Sequence, residues 1–294
     1  MSGAKIWTVR DIMDWTCDYL ERKGDEHPRL SAEWLLCSAL DISRIQVYMN
    51  FDEPLNADEL TRMREGVKRR AQGEPLQYVT GEMPFRHIVL QCKPKVLIPR
   101  PETEILVDKC LEVAKAIHDQ EPVRVLEIGT GTGCISCSLA YEAPYTQVVA
   151  TDISPDAFEL ARRNVDALGL ESQVEVNLCD LVAGLDDKDK DNFDLIVSNP
   201  PYIPSRVMEE LPYEVQGFEP HLALDGGADG LDVYRRILAE ATEYLKSGGY
   251  LAVELFEESL EEASRLALAT GKYDRTEIVD DLTHRNRIIL AHKI

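Results

Sequence analysis

The chain has 294 residues, room for one domain with a sizeable core and a second, smaller one. Hydrophobic residues make up 44% and charged residues 29%, as in ordinary globular proteins, and no apolar run of about 18 residues is present to span a bilayer. The formal net charge of -21 sets the protein against phosphate backbones, so nucleic acid is a disfavoured partner unless a basic patch overrides the field.

The segment from Met1 to Arg10 lacks the apolar stretch of a signal peptide, which predicts a cytoplasmic protein with no membrane partner. The seven cysteines have no framework spacing and read as reduced thiols filling core positions. Cys134 and Cys137 have C-x-x-C spacing, but a zinc site would want a second pair of ligands and a redox motif would want thioredoxin-like surroundings. The histidines show no ligand spacing either, so no metal is expected.

Residues 1–75 read as a helical domain. Thr8 and Asp11 resemble a capping box ahead of Val9, Ile12, Met13 and Leu20 at helical spacing, which ends at Gly24. A second helix is predicted from near Ser31 and a third after Asn56, ending at Gly73 and Pro75. Arg62, Arg64, Lys68, Arg69 and Arg70 lie on that third helix. They read as a solvated face, with a docking face for an acidic partner as the alternative.

Residues 76–98 form a linker with strand character, in which Ile88–Leu90 and Val96–Ile98 are predicted to pair as a hairpin around Lys93, Pro94 and Lys95. A helix follows from about Glu102 to Ile117. From Val123 the pattern alternates, with apolar runs at Val123–Ile128, Val148–Ala150, Val174–Leu178, Phe193–Val197 and Tyr250–Leu255 separated mostly by helical stretches such as Val233–Leu245. That alternation predicts an α/β domain over residues 99–294, a mostly parallel sheet with helices on both faces. The connection between Thr276–Val279 and Arg287–Leu290 is too short for a parallel crossover, so the sheet closes on an antiparallel strand.

Two motifs carry chemistry. Gly129-Thr130-Gly131-Thr132-Gly133 follows the first strand of the alternating region and opens a helix, and Asp152 ends the next strand about twenty residues on. Glycines let a ligand approach the backbone, and the carboxylate can accept hydrogen bonds from ribose hydroxyls. The third glycine of a dinucleotide fingerprint is missing and no Lys completes a P-loop, which turns the reading towards S-adenosylmethionine. A structural turn or another cofactor's site remains open on this loop alone.

The second motif is Asn199-Pro200-Pro201-Tyr202 at the end of the Asp194–Ser198 run. Both prolines lack an N–H and stiffen the turn, leaving backbone carbonyls free as acceptors. A planar amide or aromatic amine has no proton that a neutral-pH base can remove in advance. Its N–H groups can instead be held by the Asn199 side-chain oxygen and the Pro200 carbonyl, with Tyr202 offering a flat face, so that catalysis comes from orientation and dry electrostatics.

With Leu97-Ile98-Pro99-Arg100-Pro101-Glu102-Thr103-Glu104, Gly73-Glu74-Pro75-Leu76-Gln77-Tyr78, Glu219-Pro220 and Gly230-Leu231-Asp232 added, the chain resembles, over nearly its whole length, the protein-(glutamine-N5) methyltransferases of the PrmC or HemK type. The resemblance implies a Rossmann-like class I methyltransferase domain with a seven-stranded sheet. It implies that Gly129 to Gly133 and Asp152 bind S-adenosylmethionine, with Asn199 beside them and Asp180 and Leu181 bordering the adenine. Asn199, Pro200, Pro201 and Tyr202, with Arg100, would hold the glutamine of the Gly-Gly-Gln loop of a peptide chain release factor, and the helical domain would help dock that protein. One departure is Glu254-Leu255-Phe256-Glu257-Glu258-Ser259, where the family usually has a glycine and then a glutamine. An adenine-N6 nucleic-acid methyltransferase and a non-catalytic cofactor-binding module are the alternatives.

Overall fold

Thr8 opens the first helix as the sequence predicts. Its hydroxyl accepts the Asp11 N–H at 3.2 Å while the Asp11 carboxylate accepts the Thr8 N–H at 3.1 Å, so two donors that a helix start leaves orphaned are satisfied. The computed structural model describes residues 6–294. They form two units, one running to Glu82 and taking in Pro212–Phe218, the other made of Met83–Leu211 and Glu219–Ile294.

The first unit is helical: α1 (Val9–Arg22), α2 (Pro28–Leu40), α3 (Arg44–Met49), α4 (Ala57–Arg70) and α5 (Leu76–Thr80). Met13, Leu20, Leu36 and Val47 sit at the centre of its core. The second helix begins at Pro28 rather than Ser31, because proline at the first helical position forfeits no bonded N–H. The sequence reading passed over α3, yet Ser43 and Gln46 form a reciprocal capping box there and were its legible signal.

The basic stretch of α4 is neither wholly solvated nor a uniform docking face. Arg62 donates to the Ala39 carbonyl at 2.7 Å, Arg69 to Glu74 at 2.8 Å and to the Tyr78 carbonyl at 2.9 Å, and Arg70 to Asp25 and Glu214 at 2.8 Å each. These guanidiniums tie the helices of the unit together, as a planar fork of donors suits them to do. Arg64 and Lys68 remain exposed.

A hairpin of β1 (Glu82–Phe85) and β2 (Ile88–Gln91) follows, all but Glu82 in the second unit. The predicted pairing of Ile88–Leu90 with Val96–Ile98 does not occur. The turn instead falls at Arg86, which adopts φ 50°, and Val96 packs on Ala157 and Leu160 at a bend outside the strands. After α6 (Pro101–Ile117) come β3 (Val123–Ile128), α7 (Cys134–Glu142), β4 (Thr146–Asp152), α8 (Pro155–Leu168), β5 (Val174–Leu178), β6 (Phe193–Ser198), β7 (Leu245–Glu254), β8 (Tyr273–Asp280) and β9 (Asn286–Lys293). The stretch predicted helical over Val233–Leu245 is helical from Asp232 to Tyr244, in α, π and 3-10 turns, and β7 begins at Leu245.

The strands lie in the order β5-β4-β3-β6-β7-β9-β8, parallel from β5 to β7, with β9 antiparallel to both neighbours. Val125, Leu195 and Val197 face one core, and Leu126, Ile128 and Ile196 face the other, as strands buried on both sides require. Chain order reverses between β3 and β6, where open α/β sheets bind ligands beyond the carboxyl ends of the strands. Ile128 pairs with Ser198 there, so Gly129 and Asn199 leave adjacent strands at one level.

Candidate active site

The glycine loop is anchored from its first residues: the Gly129 and Thr130 N–H groups both donate to the Thr151 carbonyl, at 2.8 and 3.0 Å. Gly129 and Gly131 take φ 75° and 58°, a region that disfavours side chains, and a Cβ on either would point into open space. Gly133 is different, since a Cβ there would contact Cys137 and Ala161. The first two glycines therefore bare the backbone, while at the third it is the φ of 81° that favours glycine.

Asp152 accepts the Gly131 N–H through Oδ2 and the Ser154 N–H through Oδ1, both at 2.8 Å. Burial raises its pKa above the ordinary carboxylate value. Beneath the loop lies Glu127, fully buried. Its Oε2 accepts the Thr130 hydroxyl at 2.7 Å and the Ser136 N–H at 3.1 Å, while Oε1 has no partner. Burial pushes its pKa up to about 7.

A cavity of about 550 Å³ opens at this point, within the range of small-molecule sites. Of the predicted site residues, it brings together Gly129, Gly131, Asp152, Asp180, Leu181, Asn199, Pro200 and Pro201. Asp180 pairs with Arg236 at 3.0 Å across the rim, and Leu181 holds φ 49°, uncommon for a leucine. Val96 and Leu97 line one wall and His221 and Leu222 another. Sequence reasoning missed all four, having taken the first two for a strand.

Thr130, Thr132, Gly133, Tyr202 and Arg100 are not in the cavity lining. Thr130 serves Glu127, and the Thr132 carbonyl accepts the Asn164 side chain at 2.8 Å. Arg100 is ion-paired with Glu219, a buried carboxylate that also accepts the Ile98 N–H at 3.3 Å. Tyr202 packs its ring on the second core and donates its hydroxyl to Glu254 at 3.2 Å; burial raises its pKa.

Asn199 is held through its nitrogen, since Nδ2 donates to Thr103 Oγ1 at 3.0 Å. Among the described residues no donor is bonded to its Oδ1 or to the Pro200 carbonyl. Two neighbouring neutral acceptors thus stand at the edge of the cavity, which is what a nitrogen bearing two N–H bonds requires. The turn is buttressed from behind: the Ile203 N–H donates to Leu224 O and the Gly226 N–H to Ile203 O, both at 2.9 Å. A Cβ at Gly230 would fall 2.3 Å from the Tyr202 carbonyl oxygen, so only glycine fits. Among the described residues there is no cluster of potential metal ligands and no helix long and apolar enough to cross a membrane.

Comparison with known proteins decides the family. The model of the PrmC N-terminal domain matches residues 11–81, and that of a methyltransferase domain matches residues 119–284. A release factor glutamine methyltransferase of Geobacter sulfurreducens is 48% identical over 251 residues, 85% of this chain and 85% of its own. The chain belongs to the release factor glutamine methyltransferase family. A second release factor glutamine methyltransferase, from Rhodopirellula baltica, is 38% identical across 98% of this chain and 97% of its own. In fold the chain is similar to the N-terminal domain of human METTL16 in complex with SAH, with a TM-score of 0.50 at 18% identity, covering 82% of this chain and 84% of that one. The α/β sheet predicted from the strand pattern and the methyltransferase domain implied by the family resemblance are both observed.

Proposed function

We propose that this protein transfers a methyl group from S-adenosylmethionine to the side-chain amide nitrogen of the glutamine in the Gly-Gly-Gln motif of peptide chain release factors. The observation that carries this reading is the pair of unoccupied acceptors, Asn199 Oδ1 and the Pro200 carbonyl, beside the glycine loop at the switch point of the sheet.

The residues present fit the cofactor. Gly129 and Gly131 leave bare backbone along the cavity, Asp152 has lone pairs left for ribose hydroxyls, and Glu127 Oε1 is a buried acceptor without a donor, suited to an ammonium group. Asp180 and Leu181 also line the cavity, and the adenine is assigned beside them. When bound, S-adenosylmethionine supplies an electrophilic methyl group on a sulfonium.

The residues of this chain orient the nucleophile. Asn199 Oδ1 and the Pro200 carbonyl accept the two amide protons and so favour a nitrogen whose lone pair is turned towards the methyl group. The apolar side chains of Val96, Leu97 and Leu222 line the cavity, and water displaced by bound cofactor and substrate would strengthen both hydrogen bonds. The proton is lost to solvent after transfer, so no side-chain base is needed. Residues 76–98 are assigned as the linker, the helical unit as a docking element for the release factor, and the cytoplasm as the place of reaction.

The test is methyl transfer from labelled S-adenosylmethionine to a purified release factor, beside its Gly-Gly-Ala variant and DNA and RNA oligonucleotides. Label in the unaltered factor alone supports the reading. Label only in nucleic acid overturns it.

A further inference from the structure

Thr103 and Glu254 have no part in the binding roles assigned above, yet they form a chain of hydrogen bonds that ends on Asn199. Thr103 Oγ1 donates to Glu254 Oε2 at 2.8 Å and accepts from Asn199 Nδ2 at 3.0 Å. Glu254 takes the Tyr202 hydroxyl on its other oxygen. Thr103 is 1% exposed and Glu254 is fully buried, so neither exchanges these partners for water.

The chemistry of the chain gives it a direction. An ionised carboxylate accepts only, so Glu254 draws the single Thr103 hydroxyl proton towards itself. Thr103 then faces Asn199 with lone pairs alone. Asn199 can satisfy it only with its NH₂ group, which turns Oδ1 away, towards the cavity. With the amide flipped, two acceptors would oppose each other in a buried site and leave both unsatisfied.

We infer that Glu254 and Thr103 are positioning residues that fix the side-chain amide of Asn199 with its oxygen facing the substrate nitrogen, so that the site presents acceptors only. The inference rests on the proposed role of Asn199. A freely flipping Asn199 would spend part of its time offering N–H donors to the substrate amide. It would then repel the N–H face it is meant to hold, at no cost to the cofactor cavity.

Glu254 also faces Arg287, which favours its ionised form, and Glu102, which opposes it. Burial is the largest influence and brings its pKa to about 7. Measurements are therefore made at pH 8.

Four proteins are compared: the unaltered chain, Thr103→Ser, Thr103→Val and Glu254→Leu. Thr103→Val keeps shape and loses the hydroxyl; Glu254→Leu removes the acceptor that polarises it. Each is checked for melting temperature and S-adenosylhomocysteine affinity, then assayed for kcat and KM with a release factor. Thr103→Val and Glu254→Leu are expected to lower kcat roughly 10- to 100-fold, with KM and S-adenosylhomocysteine affinity within about threefold, while Thr103→Ser stays within about threefold in all three. Equal kcat for Thr103→Val and Thr103→Ser overturns the inference, and that pair decides it if Glu254→Leu does not fold.

A second readout is independent of turnover. In protein labelled with ¹⁵N at asparagine, the side-chain N–H pair of Asn199, assigned by its loss in Asn199→Ala, is expected to shift in Thr103→Val and to keep its position in Thr103→Ser. An unmoved signal in Thr103→Val overturns the inference too. Should the unaltered protein methylate no release factor, the proposed substrate is wrong, and this spectrum still tests the orientation of Asn199.

Discussion

Asp152 grips Gly131: its Oδ2 accepts the glycine's N–H at 2.8 Å while Oδ1 accepts the Ser154 N–H at the same distance. The carboxylate assigned to the ribose is thus also the clamp that gives the glycine loop its shape. Asp152→Ala should remove a ligand contact and orphan two backbone donors, weakening S-adenosylhomocysteine binding at least about tenfold and costing on the order of 1–3 kcal/mol of stability. Titration calorimetry and urea denaturation measure the two effects. Loss of affinity with unchanged stability would show that the clamp contributes nothing to the fold.

Asn199→Ala takes away one of the two acceptors at the edge of the cavity. A drop in kcat on the order of 100-fold is expected, comparable to losing one preorganised partner of a transition-state charge, with little change in melting temperature. A variant that methylates as fast as the unaltered protein would end the assigned role of Asn199.

Glu127 makes stability depend on pH with a definite sign. Its ordinary pKa of 4.5 is raised to about 7 by burial, so the folded protein holds this proton more tightly than the unfolded chain. The resulting stabilisation is complete below about 4.5 and is lost as pH rises through about 7. Glu127→Gln is neutral throughout. Its stability should therefore gain on that of the unaltered protein between pH 5 and pH 8 in urea titrations without cofactor; a gap that moves the other way refutes the assignment.

Gly230 and Gly248 provide a matched pair, with φ 80° and 79°. At Gly248 an added Cβ meets nothing, so Gly248→Ala should cost only the left-handed backbone penalty of about 1–2 kcal/mol. At Gly230 it strikes the Tyr202 carbonyl, and Gly230→Ala should cost more and also lower kcat by displacing the Asn199–Tyr202 turn. Thermal melts and initial rates on both variants separate backbone strain from displacement of the turn.

Arg70 is the buried member of the basic stretch on α4, 11% exposed between Asp25 and Glu214. Arg70→Ala removes the charge partner of the Asp25 carboxylate, itself 4% exposed, leaving it only the Ser31 hydroxyl and the His27 N–H, and should destabilise the helical unit by about 3 kcal/mol. The exposed Arg64→Ala should stay within about 0.5 kcal/mol. Similar losses for the two would return the stretch to a uniform role.

What the sequence determined by itself is local or periodic. Thr8 and Asp11 announced a helix start, the apolar runs announced parallel strands, and the Gly129–Gly133 and Asn199–Tyr202 turns had to lie at strand ends because glycine and proline dictate backbone shape from within a few residues. Even α3 was legible in Ser43 and Gln46.

The tertiary structure decided what depends on distant partners. Val96–Ile98 has the composition of a strand, but among the described residues it joins neither sheet, and Val96 and Leu97 become a cavity wall instead. Arg70 looks like a surface charge until Asp25 and Glu214 close on it. Glu254 is a carboxylate at the end of a buried strand, and nothing nearby in the chain accounts for it; its partner Thr103 lies 151 residues away. A hydrogen bond is specific in space and silent in sequence, so the group that orients Asn199 could be found only where β7 and α6 meet.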